Sequence, residues 1–148
     1  QILGHDTAEI PSSLLESSGV QLVGKQELLA SSDFVTLNCD LNPSSHHIIS
    51  GPELEKMKST AYLINTARGP LIDEPALVRA LEEGQIAGAA MDVFEIEPLP
   101  EGSGLRRLNN CLMAPHNANS SPEAYQKVHT NTIRNLILHL KSCSPQVE

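Results

Sequence analysis

The chain is poor in aromatic residues. It has no Trp, two Phe and two Tyr among 148 residues, so aliphatic side chains and Ala must build any core. Positive charge is also scarce. Ten Lys and Arg stand against eighteen Asp and Glu, a formal net charge of -8, and the basic residues are scattered. Without a basic stripe, nucleic acid is not an expected partner. No apolar run reaches the roughly 18 residues of a membrane-spanning helix, so no membrane partner is expected either. The first residues lack the pattern of a signal peptide. The cysteines, Cys39, Cys111 and Cys143, are three and far apart. That spacing suits neither a disulfide framework nor a zinc site and points to a reducing, cytoplasmic setting. No internal repeat, low-complexity segment or G-x-G-x-x-G loop occurs. What is present is ordinary for a globular domain: 40% hydrophobic residues in a chain long enough to bury a core.

Short apolar runs alternate with helical patterns. Strands are expected at 1–6, in "VQLVG", at 34–38, 61–65 and 86–94, and in "CLMAP" (111–115). Helices are expected in "SSLLESSG", stopped by Gly19, and in "KQELLASSD". "SGPELEKMK" follows with a Ser50/Glu53 capping pattern. "DEPALVRALEEG" has Asp73 as N-cap, Pro75 in the first turn and Gly84 as its stop. The last helix opens at "SSPEAYQK" and shows Val128, Ile133, Leu136, Ile137 and Leu140 on one face. Strands alternating with helices predict an α/β fold with a parallel sheet covered on both faces. Met91 and Met113 are expected in its core. The segment 95–110 reads as a long Pro- and Gly-containing loop, a length that is often functional.

In a parallel sheet, ligands bind beyond the C-terminal ends of the strands. The residues expected there are Asp6, then Thr66, Ala67, Arg68 and Gly69, then Asp92, Glu95 and Glu97, then His116, Asn117 and Asn119. Arg68 follows a strand that has no structural use for a charge. It is either a surface arginine at a helix end or a guanidinium aimed outward by the Gly69-Pro70 turn to grip a carboxylate with two hydrogen bonds. His116 is either structural or an acid/base held by a carboxylate, with Glu97 and Glu95 as competing partners. Position alone makes Asp6 an ordinary turn aspartate. His46 and His47 have no Cys or carboxylate at metal-ligand spacing and are expected to be solvent-exposed, so no metal site is expected. Asp92, Glu95 and Glu97 together suggest Mg²⁺ only weakly, because no phosphate-loop pattern accompanies them.

The stretch "LINTARGPLIDEPALVRALEEGQIAGAAMDVFEIEPLP", followed by "CLMAPHNANSS", resembles the D-isomer-specific 2-hydroxyacid dehydrogenases. That family includes glyoxylate/hydroxypyruvate reductases, D-lactate dehydrogenases and phosphoglycerate dehydrogenases. The resemblance rests on Arg68-Gly69, Asp73 and Ala76-Leu77 joined to Asp92-Val93-Phe94, Glu97-Pro98 and Pro115-His116, and it covers nearly all of residues 1–140. It implies a doubly wound, Rossmann-like sheet that is incomplete at its N-terminus, because the family's glycine loop precedes the strand that begins this chain. Residues 1–120 would be the later part of an NAD-binding domain, and 121–148 a crossover helix and tail toward a missing substrate domain. The implied activity is NAD(P)-dependent interconversion of a small 2-keto acid and its D-2-hydroxy acid, by a homodimer in the complete protein, with the isolated chain inactive.

In that scheme Arg68 clamps the substrate carboxylate, His116 exchanges a proton with the substrate oxygen, and Glu97, five residues after Asp92, pairs with His116. Asp92 contacts the nicotinamide amide. Cys39, Thr66, Ala67 and the turn from His116 to Asn119 line the cofactor. Asp6 binds the ribose, which favours NAD over NADP. Two departures bear on substrate choice: Asn38 and Asp40 stand where the family more often has His and Pro, and "HNANSS" replaces a His-Ile-Ala-Gly type of turn. The implied alternative is a non-catalytic, NAD-sensing protein of the corepressor type on the same fold.

Overall fold

The computed structural model describes residues 1–143. These form β1 (Ile2–Gly4), α1 (Ser12–Ser18), β2 (Val20–Leu22), α2 (Lys25–Ser31), β3 (Phe34–Leu37), α3 (Gly51–Leu54), β4 (Tyr62–Asn65), α4 (Glu74–Glu82), β5 (Gly88–Met91), β6 (Cys111–Met113) and α5 (Pro122–Cys143). The chain divides into two compact units, Gln1–His116 and one that begins at Asn117. The second contains α5, opened by Ser121, whose Oγ accepts the Ala124 N–H at 3.1 Å. Its side chains Val128, Ile133, Leu136, Ile137 and Leu140 are all exposed. Of the stretch expected to be a crossover helix and tail, residues 144–148 lie outside the described part.

All strand pairs in the first unit are parallel, in two sheets: β1-β2, and β3-β4-β5-β6. The local chemistry follows the helix signals. In α4, Asp73 accepts the Ala76 N–H at 3.1 Å, and Ala76, Leu77, Ala80 and Leu81 turn one buried face to the core. Gly84, at φ 67, ends the helix in the left-handed conformation that glycine adopts without strain. Gly19 does the same for α1 at φ 68. Ahead of α3, the Ser50 N–H and hydroxyl both donate to one Glu53 oxygen, and Lys25 pairs with the other at 3.0 Å. The burial of Leu54, Leu63, Leu71, Ile72, Leu77 and Ile86 supplies the aliphatic core, with about 1.5–3 kcal/mol from each such side chain. Met91 is in that core and Met113 packs against it.

Three details differ from the sequence expectations. The strand expected at 86–94 is only Gly88–Met91: the Asp92 N–H makes a last bond to the Asn65 carbonyl of β4, and the Phe94 N–H then turns to the Glu97 side chain. The loop 95–110 contains a 3-10 turn at Gly104–Arg107 whose Leu105 is fully buried. Within the first unit itself, the four-stranded sheet buries one face and leaves the other exposed. Val35, Leu37, Leu63, Ala89 and Met91 are buried, while Phe34, Tyr62 and Leu112 on the opposite face are 67%, 45% and 73% exposed. Instead of one continuous sheet there are two, and residues of β1 and β3 both line a groove of about 590 Å³.

Candidate active site

The register of the four-stranded sheet aligns Leu37, Asn65, Met91 and Met113 in one row. The chain segments that leave the sheet past this row therefore emerge along one edge. They carry Asn38–Asp40, Thr66–Arg68, Asp92–Glu97 and Ala114–His116. Parallel order, rather than sequence proximity, gathers these polar residues.

Asn65 shapes the exit of β4. Its side chain is fully buried, donates to the Arg68 carbonyl at 2.9 Å and accepts the Ala67 N–H at 3.0 Å. This closes a tight loop from which the Arg68 side chain emerges exposed, with one guanidinium nitrogen donating to the Ala67 carbonyl at 2.6 Å. Gly69 then passes against the β5 exit so closely that a Cβ would lie 1.8 Å from the Phe94 carbonyl oxygen. Only glycine fits there, and the reason is close approach, since its φ is not in the left-handed region. Sequence reasoning did not single out Asn65; a buried-type polar residue ending an apolar strand was its signal.

At the β6 exit, His116 adopts a left-handed backbone, φ 56, and its Nδ1 lies 2.9 Å from Glu97 Oε2. The other Glu97 oxygen accepts the Phe94 N–H at 2.9 Å. Those two contacts, the His116 one foremost, hold the Glu97 carboxyl below its ordinary pKa. Glu95 turns away from His116. Its Oε1 lies 2.8 Å from His47 Nε2, and its Oε2 accepts the Glu74 N–H at 3.3 Å. His47 is thus half-buried and paired, not solvent-exposed as expected, while His46 is exposed. Glu95 and Glu97 serve different histidines and do not converge with Asp92 on one point suited to Mg²⁺. Arg68, Gly69, Pro70, Phe94, Glu97 and His116 line one pocket of about 220 Å³, with Glu95 and Val93 at its wall.

The remaining expected positions lie elsewhere. Asp92 is buried beneath the edge, and Thr66 and Ala67 sit on the β4 exit. Asp6 is exposed past β1, accepting the Ala8 N–H at 2.8 Å. It lines the larger groove together with Gly4, Asn38, Cys39 and Asp40. Partial burial raises the Cys39 pKa, and Asp40 and Asp6 raise it further against the hydrogen bond from its own backbone. Asn119 lies in the second unit.

As a mould for a dinucleotide the first unit offers an acidic residue at the β1 exit and a polar pocket at the β4–β6 exits. No glycine loop for a pyrophosphate is found in the 148 residues.

Residues 1–118 match the model of the D-isomer specific 2-hydroxyacid dehydrogenase, NAD binding domain. A glyoxylate reductase of Thermofilum pendens is 51% identical over 118 residues, which is 80% of this chain and 35% of that protein. Among solved structures, a glyoxylate reductase from Paecilomyes thermophila superposes with a TM-score of 0.83 at 41% identity, covering 91% of this chain and 40% of that one. An acyclic imino acid reductase in complex with NADPH and D-Arg gives a TM-score of 0.86 at 31% identity, covering 99% and 45%. The chain thus spans about a third of the length of the curated relative. No helix among the described residues is long and apolar enough to cross a membrane. On the family match and this likeness in sequence and fold, the chain belongs to the D-isomer specific 2-hydroxyacid dehydrogenases, its residues 1–118 matching their NAD binding domain.

Proposed function

We propose that this chain supplies the acid/base pair and the carboxylate clamp of an NAD-dependent enzyme that reduces a small 2-keto acid to its D-2-hydroxy acid. The observation that carries the reading is the His116–Glu97 contact in a pocket shared with Arg68.

Arg68 binds the substrate carboxylate. Its guanidinium has five donors and spends one on the Ala67 carbonyl, leaving a fork for two parallel hydrogen bonds. Glu97 holds Nδ1 of His116, so the proton exchanged with the substrate oxygen is carried on Nε2. The left-handed backbone of His116 and the Phe94 N–H bond to Glu97 set the pair in place before substrate arrives. The reduced cofactor, NADH, would supply the hydride for the carbonyl carbon when bound. Asp6 is assigned to the adenosine ribose, and Cys39, Thr66, Ala67, Asp92 and Asn119 to the cofactor's surroundings. Residues 1–120 act as the nucleotide-binding part and 121–148 as a connection to a substrate-binding part. The free thiols of Cys39 and Cys111 support a cytoplasmic setting, and the apolar side chains exposed on α5 support a homodimer of the whole protein.

The chain on its own is expected to turn over no substrate and to bind NAD only weakly. Its own 148 residues offer no glycine loop to hold the pyrophosphate. The test is a chimera in which residues 1–118 replace the matching stretch of the Thermofilum pendens glyoxylate reductase. Turnover of glyoxylate, hydroxypyruvate or pyruvate with NADH supports the reading. A folded chimera that binds NADH but reduces none of them supports instead a non-catalytic NAD sensor.

A further inference from the structure

The proposed chemistry makes no use of His46, His47 and Glu95. Each offers a ligand atom, and the three atoms lie within 4.8 Å of one another. They come from two segments 48 residues apart: His46 and His47 from the loop after β3, Glu95 from the exit of β5. Sequence spacing could not reveal this group, because the carboxylate arrives through the fold.

We propose that His46, His47 and Glu95 form a binding site for a divalent transition-metal ion of the zinc type. Two imidazoles and one carboxylate are the donors such an ion takes, with water completing a tetrahedron. His47 Nε2 and Glu95 Oε1 are 2.8 Å apart. Two ligands on a tetrahedral Zn²⁺ at about 2.0–2.1 Å stand about 3.3 Å apart, so the ion replaces the shared proton after a small opening of the pair. His46 needs a larger movement and is the ligand able to make it. It is exposed, and its ring centroid already lies 3.9 Å from that of His47.

The other two ligands are fixed from behind, as metal ligands commonly are. The Glu95 Oε2 atom is held by the Glu74 N–H at 3.3 Å. His47 has a left-handed backbone, φ 52, and its N–H donates to the Pro70 carbonyl at 2.9 Å. Arg68, which lines the same pocket as Glu95, is the charge that opposes a cation here. The anionic carboxylate offsets it. The ion would tie the loop after β3 to the segment that carries Glu97.

The test is calorimetric titration of the chain with Zn²⁺ at neutral pH, in a Cys39→Ser background that removes the exposed thiol. One ion per chain is expected. Affinity should fall about tenfold or more in His46→Ala and in Glu95→Gln. It should hold in His116→Ala, which removes the other His–carboxylate pair. No binding in the micromolar range, binding that survives both ligand changes, or binding lost with His116 would each overturn the site. Zinc-edge X-ray absorption on the chain with its ligands intact keeps the proposal open to refutation if a variant misfolds. Two imidazoles in the scattering support it, and fewer than two refute it.

Discussion

Nδ1 of His116 stands 2.9 Å from Oε2 of Glu97, although the two residues are 19 positions apart. The same carboxylate caps the turn of its own segment through the Phe94 N–H. In the proposed reaction this makes Glu97 the group that sets the protonation of the acid/base pair.

Glu97→Gln should therefore change the pH profile of keto-acid reduction in the chimera, and Glu95→Gln should not. Losing the negative partner disfavours the histidinium, so the profile moves to the acid side in Glu97→Gln. The Glu97 carboxyl is depressed below 4.5, so its contact stabilises the fold above that value and is lost as pH falls through the depressed pKa. The measurement is kcat/KM against pH for both variants. A shift with Glu95→Gln alone would show that the wrong glutamate is paired with the catalytic histidine.

Arg68→Lys retains the charge but loses the fork. One charge-assisted hydrogen bond is worth about 1.5–3 kcal/mol, so kcat/KM should drop roughly tenfold to a hundredfold. Steady-state kinetics on the chimera decide it. Unchanged kcat/KM would remove the clamp role from Arg68.

Asp6 should favour NADH over NADPH, since its carboxylate would face a 2′-phosphate. Two like charges about 4 Å apart cost about 1 kcal/mol even in water, so Asp6→Ala should move the NADH/NADPH ratio of kcat/KM about fivefold toward NADPH. The structural relative in complex with NADPH makes this comparison informative. A wild-type preference for NADPH would sink the assignment.

Gly69→Ala should destabilise the first unit. The added Cβ meets backbone, the Phe94 carbonyl oxygen at 1.8 Å and its carbon at 2.0 Å, which no rotamer change relieves. Overpacking of this kind costs about 1–3 kcal/mol or more. Urea unfolding of the chain measures the loss, and a midpoint equal to wild type would show that the β4 and β5 exits are not so tightly apposed.

Much of the fold was legible because its signals are local. Asp73 and Pro75 start α4 and Gly84 ends it, through the backbone positions each residue type satisfies. Alternating strands and helices implied parallel order, and parallel order alone places Arg68 and His116 at one edge of a sheet. The open face of the four-stranded sheet was not legible. An apolar strand reads alike whether its second face is covered or bare, and Phe34, Tyr62 and Leu112 are bare.

The sequence by itself determined the family, the parallel α/β order and the candidates at the strand exits, since each depends on residue types and spacings along the chain. The family resemblance already pointed Glu97 to His116; the tertiary structure decided that Glu95 meets His47, a contact no spacing along the chain indicates. Glu95 and Glu97 are two residues apart and chemically identical. Their partners lie 48 and 19 positions away, and the geometry that separates them is set where the chain leaves β5 and the Phe94 N–H holds Glu97 beside His116. The closeness of Gly69 to Phe94 arises in the same way, from two segments that meet only in the folded sheet.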